Sequence, residues 1–248
     1  MSEFKDHFSG HAADYARFRP SYPPKLFNYL ASISPRHERA WDCATGNGQA
    51  AVGLADHFAR VIATDASARQ IESAQAKPSI SYSVAPAEAS GIDLDSVDLI
   101  LVAQALHWFD MDRFFAEAKR VSTESGILAI STYTLASVNP EIDAILSKFY
   151  HEITGPYWPP ERDLVETNFK NVRFPFTELP SHEFEIRQEW NLAQLSGYLR
   201  TWSATKKFIV ACGFDPVDSL MQDLGSVWQD REQPRQVTWP LKLRTFRV

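Results

Sequence analysis

The 248-residue sequence predicts a doubly wound α/β fold: a mostly parallel, seven-stranded sheet covered by helices on both faces, with a cap contributed by the second half of the chain. Three observations predict it. From residue 39 to about residue 133, short apolar runs alternate with helix-like stretches, as parallel strands joined by crossover helices require. The first run, ending Trp41-Asp42-Cys43, passes through the tight turn Ala44-Thr45-Gly46-Asn47-Gly48 straight into a helix. Beyond Thr134 the pattern changes, first to a helix and a Pro- and aromatic-rich loop, then to a period-two segment and a closing apolar strand.

The elements follow in order. Strands are expected at residues 40–43, 60–64, 80–84, 97–102 and 126–132, where β-branched and aliphatic residues cluster between turn residues. Helices are expected at 49–57, 69–76 and 112–121, each opened by a turn carrying Gly, Asp or Ser. Residues 139–153 look helical. Residues 183–190 alternate polar with largely apolar side chains, the pattern of a half-exposed strand, and 237–248 close the sheet. Helices at 191–202 and 216–227 separate these two strands. The second half therefore completes the first sheet and caps it, and one domain is expected over 1–248.

Composition narrows the function. With 25 Lys+Arg against 31 Asp+Glu the formal net charge is −6, and a nucleic-acid partner would require a basic surplus on one face. Two cysteines, Cys43 and Cys212, have neither C-x-x-C spacing nor nearby histidines, which removes disulfide-scaffold and structural-zinc classes. The amino terminus shows no apolar leader, and the aliphatic run 99–103 is far below the roughly 18 residues of a membrane span. A cytoplasmic monomer or homodimer with no membrane partner and no metal is expected.

The turn carries the chemistry. Gly46 and Gly48 permit close backbone approach to a ligand, and a loose G-x-G-x-x-A pattern raises a dinucleotide site. Asp65, ending the second strand, suits ribose hydroxyls of either a dinucleotide or an adenosine. Asp42 discriminates: it repels a pyrophosphate and attracts a cationic amine. A turn cap is its purely structural alternative.

On these residues the chain resembles the class I S-adenosylmethionine-dependent methyltransferases, the type 11 methyltransferase domain, whose first motif reads acid-x-Gly-x-Gly-x-Gly. Here it is Asp42-x-Ala44-x-Gly46-x-Gly48, with Ala44 in place of the first glycine. The likeness continues through Asp65, Ala85-Pro86-Ala87-Glu88, the run 96–102 with Gln104-Ala105-Leu106-His107-Trp108-Phe109 after it, and Arg120-Val121 before Gly126. It implies a Rossmann-like sheet with an antiparallel last strand. It also implies S-adenosyl-L-methionine as cofactor, held by Asp42, Ala44, Gly46, Gly48, Asp65 and Gln104. Many members carry Asp where Pro86 stands, so the backbone at Ala87, with Glu88, is expected to read the adenine instead.

A narrower likeness adds the substrate side. The stretch Phe8-Ser9-x-x-Ala12-x-x-Tyr15-x-x-Phe18-Arg19-Pro20-x-Tyr22-Pro23, with His107-Trp108-Phe109 and Tyr198-Leu199-Arg200-Thr201-Trp202-Ser203, is similar to the trans-aconitate methyltransferase-like group of small-molecule enzymes. That implies a lid over residues 1–24, with Tyr15 and Arg19 near the methionine carboxylate. A cofactor core then spans 25–134, and a substrate cap with closing strands spans 135–248. The acceptor is expected to be a small acid between Gln104, His107 and Trp108 and the cap around Trp202, with Arg200, or Arg17 and Arg19, opposing its charge. A carboxylate is ionised at neutral pH and needs no base, whereas a phenol, amine or alcohol would make His107 catalytic. Two other readings stand beside this one: a nicotinamide-dependent oxidoreductase on the same turn, and a methyltransferase-like binding protein without turnover. The presence of both Asp42 and Asp65 favours an enzyme.

Overall fold

A computed structural model of the chain describes residues 18–180 and 182–248. The expected lid falls mostly on residues 1–17, outside the described residues. Five parallel strands come first: β1 (Arg39–Cys43), β2 (Arg60–Asp65), β3 (Ile80–Val84), β4 (Val97–Ala103) and β5 (Ser122–Tyr133). They are joined by α2 (Gln49–Leu54), α3 (Ala68–Glu72) and α4 (Met111–Val121), and preceded by α1 (Pro24–Ile33). The second half adds α5 (Pro140–Lys148) with a π-helical turn at Phe149–Ile153, α6 (Arg162–Glu166), β6 (Thr177–Glu178) and β7 (His182–Trp190). It ends with α7 (Leu192–Arg200), α8 (Ser203–Cys212), α9 (Pro216–Trp228) and β8 (Arg235–Arg247).

The sheet order is β3-β2-β1-β4-β5-β8, with β6 and β7 both on the outer side of β8. β8 runs antiparallel to β5, and β6 and β7 occupy successive stretches of one edge, pairing with Arg247–Phe246 and then from Leu243 onward. Pro180 lies in the gap and has no amide for the ladder. Eight strands thus fill the seven expected positions. The outer edge strand carries Glu183, Glu185, Arg187 and Glu189, charges that discourage edge-to-edge pairing.

β1 and β4 are buried on both faces, which is why they read as continuous apolar runs. Leu99 and Leu101 enter a core shared with α1, α2, α5, α7 and α9, while Trp41, Ile100 and Val102 enter a second core under α4 and α6. The expected helix at 49–57 ends at Leu54, and that at 69–76 ends at Glu72, five residues before Lys77-Pro78 turns the chain into β3. α8 lies between the two helices expected at 191–202 and 216–227 and matches neither. Only Thr201-Trp202 separates it from α7, and α8 exposes Val210, which blurs its apolar period.

One buried carboxylate locks the start of the sheet. Asp98 stands at the register shift in β4 and accepts hydrogen bonds from the backbone amides of Glu38 (3.0 Å) and Arg39 (3.1 Å), Thr123 Oγ1 (3.1 Å) and Arg36 Nε (3.2 Å). Asp98→Ala leaves the half-buried Glu38 and Arg39 amides without a partner and is expected to lower the unfolding free energy by about 3 kcal/mol. Urea denaturation checks this: a loss below about 1 kcal/mol would mean that water replaces the carboxylate.

Candidate functional site

The turn after β1 is built from left-handed backbone. Ala44, Gly46 and Gly48 have φ of 56°, 56° and 86°. At Gly48 a Cβ would also strike the Tyr82 hydroxyl at 2.3 Å. Ala44 adopts this conformation without the freedom of glycine, at a strain of roughly 1 kcal/mol. Two carboxylates hold the turn. Asp65 accepts from the Gly46 amide (2.9 Å) with one oxygen and from the Ser67 amide (2.8 Å) with the other, and Asp42 accepts from the Thr45 hydroxyl.

Asp42 is 1% exposed. Burial pushes its carboxyl up to about 7; the Thr45 hydroxyl and the Ala51 amide oppose the shift, and the charge of Asp65 adds to it. Its Oδ1, and Oε1 of nearby Gln70, are buried acceptors with no partner among the described residues. A Cβ placed on Gly46 would meet only that Gln70 oxygen, at 3.9 Å. The residues therefore fit a ligand that lies against glycine backbone and brings cationic or hydroxyl donors. Gln70 was missed because nothing in a short helix after Asp65 marks one polar residue as inward-facing.

In the loop after β3, Ala87 is buried, and Glu88 Oε1 accepts from the Asp110 amide at the start of α4 (2.9 Å). The loop is held by Glu117, which accepts from the Ser90 amide (2.8 Å) and hydroxyl (2.5 Å). Hydrogen bonds from Arg120, and then from Ser90, hold the Glu117 carboxyl down at about 2 against the opposing effect of burial.

A cavity opens past the carboxyl end of β4, where ligand sites of such sheets lie. Gln104, at φ 58°, donates Nε2 to the Tyr133 carbonyl (2.7 Å). His107 and Trp108 form a single 3₁₀ turn with their rings 4.5 Å apart. With Tyr150, Trp158 and Trp202 from the cap they wall a cavity of about 60 Å³ that Arg19 and Arg162 also line. Arg19 donates to the Tyr133 hydroxyl (3.3 Å) and lies over the Tyr198 ring (5.6 Å). Burial, then the charge of Arg162, pushes the His107 ring down to about 3, so it is neutral at physiological pH.

Arg200 does not reach this cavity. Its guanidinium is taken by Asp215 (2.5 Å) and Asp218 (2.6 Å) at the start of α9, and its role is to fasten α7 to that helix. Arg162, missed in the sequence, takes the place expected of Arg200. Its guanidinium stacks over Trp158 (4.9 Å), and its Nε donates to Glu166 and to the Tyr150 hydroxyl (both 2.9 Å). Trp202 is in the wall as expected, Tyr15 and Arg17 lie outside the described residues, and Asp42, Ala44, Gly46, Gly48 and Asp65 converge on the turn.

Asp42 makes the turn sensitive to pH. A carboxyl whose folded value is raised from 3.8 to about 7 binds more protons folded than unfolded between those limits, so its contribution to stability is lost as pH rises through them. Asp42→Asn should therefore gain on the parent protein by about 2 to 4 kcal/mol between pH 4 and pH 8. Thermal melts of the two proteins across that range measure it, and parallel curves would show that Asp42 is ionised when folded.

The comparisons with known proteins agree with this geometry. The family described as a methyltransferase domain matches residues 41–130. A Dictyostelium discoideum protein named as a methyltransferase is 32% identical over 227 residues, covering 90% of this chain and 86% of that protein. A Mycobacterium tuberculosis protein named as an uncharacterized methyltransferase is 30% identical over 179 residues, or 72% of this chain and 69% of its own. Among solved structures, a protein of Anaeromyxobacter dehalogenans named as a type II methyltransferase superposes with a TM-score of 0.87 at 43% identity, covering 93% of this chain and 98% of that one. A chain with this sheet order, this turn and these relatives belongs to the class I S-adenosyl-L-methionine-dependent methyltransferases.

Proposed function

We propose that the chain methylates the carboxylate oxygen of a small organic acid, in the manner of the trans-aconitate methyltransferase-like group its sequence resembles. The observation that carries this reading is Arg162. Glu166 fixes its guanidinium through Nε and Trp158 supports its face, leaving both Nη groups without a partner among the described residues at the wall of the cavity. That is a fork for a planar anion. Arg19 adds a second cation on the opposite segment of the chain, and the aromatic walls keep out water.

The residues divide the work between two ligands. Asp42 takes the cationic amine of the donor, Asp65 the ribose hydroxyls, and the backbone at Ala87 the adenine. When bound, S-adenosyl-L-methionine supplies a methyl group on a sulfonium, and its transfer to a carboxylate moves no proton. His107 is then a neutral positioning group. A ring held near 3 is too weak a base to take a proton from a phenol or alcohol. Residues 1–24 act as the lid, 25–134 as the donor-binding core and 135–248 as the acceptor cap, within one domain.

Arg162→Gln is expected to raise KM for the acceptor by about 10- to 100-fold with a smaller effect on kcat, the loss of a charge-assisted fork. His107→Ala should reduce activity modestly and equally from pH 6 to 9; a pH-dependent collapse of kcat would instead make His107 a base and the acceptor a hydroxyl or amine. Both are read in a screen of small acids with labelled methyl donor, in which base-labile ester formation is the positive result.

Asp65→Ala should weaken binding of S-adenosyl-L-methionine and its demethylated product by about 2 to 4 kcal/mol, through two lost ribose bonds and a loosened Gly46 turn. Calorimetry on the folded variant measures it. A change below about threefold would confine Asp65 to a structural role.

A further inference from the structure

The donor and acceptor sites leave one hydrogen-bonding atom with a fixed and unmet requirement. Gln104 follows β4 in a left-handed conformation, φ 58°, rare for a residue with a side chain. Its Nε2 donates to the Tyr133 carbonyl at 2.7 Å, and turning the amide over would set oxygen against oxygen. Oε1 is thereby locked as an acceptor. It is buried, has no partner among the described residues, and belongs to a residue on the wall of the acceptor cavity.

Its neighbour on the wall behaves differently. His107 Nδ1 is also buried without a partner among the described residues, but a neutral imidazole adopts whichever tautomer its ligand requires. Gln104 has no such freedom, because the Tyr133 carbonyl fixes its sense. No described residue completes it, and the group that does so must be a donor. The cationic amine of the methyl donor has Asp42 Oδ1, buried and unmet, in the turn after β1. The missing donor is therefore assigned to the acceptor. An ammonium there would face the positive charges of Arg19 and Arg162, whereas a hydroxyl would not.

We propose that Gln104 determines specificity, selecting acids that carry a hydroxyl in addition to the carboxylate that is methylated. This rests on the carboxylate reading above and adds a second anchoring point to it. A site with a buried acceptor awaiting a donor discriminates strongly against analogues that lack one, since the acceptor is then left without a bond.

The test compares acids matched in shape: benzoate, its hydroxy isomers and the corresponding fluoro isomers, together with but-2-enoate and its 4-hydroxy and 4-fluoro derivatives. Fluorine fills nearly the hydroxyl's space and donates nothing. With labelled methyl donor, at least one hydroxy acid should form a base-labile ester with kcat/KM at least about tenfold above its fluoro partner. In Gln104→Met that ratio should fall to within about threefold, while affinity for the demethylated cofactor product stays within about twofold.

Ester formation at equal efficiency from hydroxy and fluoro acids overturns the proposal and leaves the carboxylate reading intact. Base-stable ethers, or no labelled acid at all, overturn the carboxylate reading itself. Should Gln104→Met weaken the cofactor product as much as it lowers kcat/KM, Gln104 serves the methyl donor and the proposal fails. The hydroxy/fluoro ratio of the unmodified protein decides the matter even where the variant does not fold.

Discussion

A turn of five residues between β1 and α2 must run through left-handed backbone three times, and the rest of the site is arranged around that requirement. Without those reversals the α2 amides and the glycine backbone would not face the carboxyl edge of the sheet, where a ligand can lie against them. The turn is not held by packing alone. Asp65 reaches across from β2 to the Gly46 amide, so the spacing of the two strands sets the shape of the loop. Asp42 sits beneath it, buried and only partly satisfied by Thr45. Strain at Ala44 and a half-paired buried carboxylate both raise the energy of the turn, and a ligand that brings a cation relieves the second of these.

The cavity draws two positive charges from different elements. Arg19 comes from the segment before α1 and Arg162 from the short helix α6, and each is fixed by aromatic rings as well as by hydrogen bonds. α6 is only a turn and a half long, too short to stand alone. It is held because the chain beyond it is clamped: Arg244 on β8 donates to the carbonyls of Asn168 (3.4 Å) and Phe169 (2.9 Å), two consecutive residues with positive φ. The closing strand thus stabilises the sheet edge and, through that loop, the arginine at the cavity.

The sequence made the core strands legible because their burial on both faces leaves unbroken aliphatic runs, and the turn legible because Gly46 and Gly48 lie between two acids. The cap was less readable for physical reasons. Whether an arginine faces a cavity depends on which nearby carboxylates capture it. Arg200 and Arg162 look alike in sequence, yet Asp215 and Asp218, fifteen and eighteen residues beyond Arg200, take the first, while a single glutamate at i+4 only orients the second. Gln104 was visible as a position past β4, but its meaning lies in a backbone carbonyl of β5 that no local pattern announces.

The two charge regimes also bear on how such a reaction turns over. On the proposed carboxylate reading, a sulfonium and a carboxylate become a thioether and an ester, so both charges vanish together. On that reading Arg162 attracts the acceptor before transfer and loses that attraction afterwards, which favours release of the ester, while the amine held by Asp42 keeps its charge. The same logic sets a limit, because a carboxylate held too firmly in the ground state resists giving up its charge in the transition state. On the same reading that limit is met by sharing the Arg162 charge. Glu166 and the Tyr150 hydroxyl engage its Nε, and two ring faces spread over it, so the fork keeps its geometry while its net pull on the acceptor is moderated. Positioning thereby contributes more than electrostatic attraction, as a displacement that needs no acid or base requires.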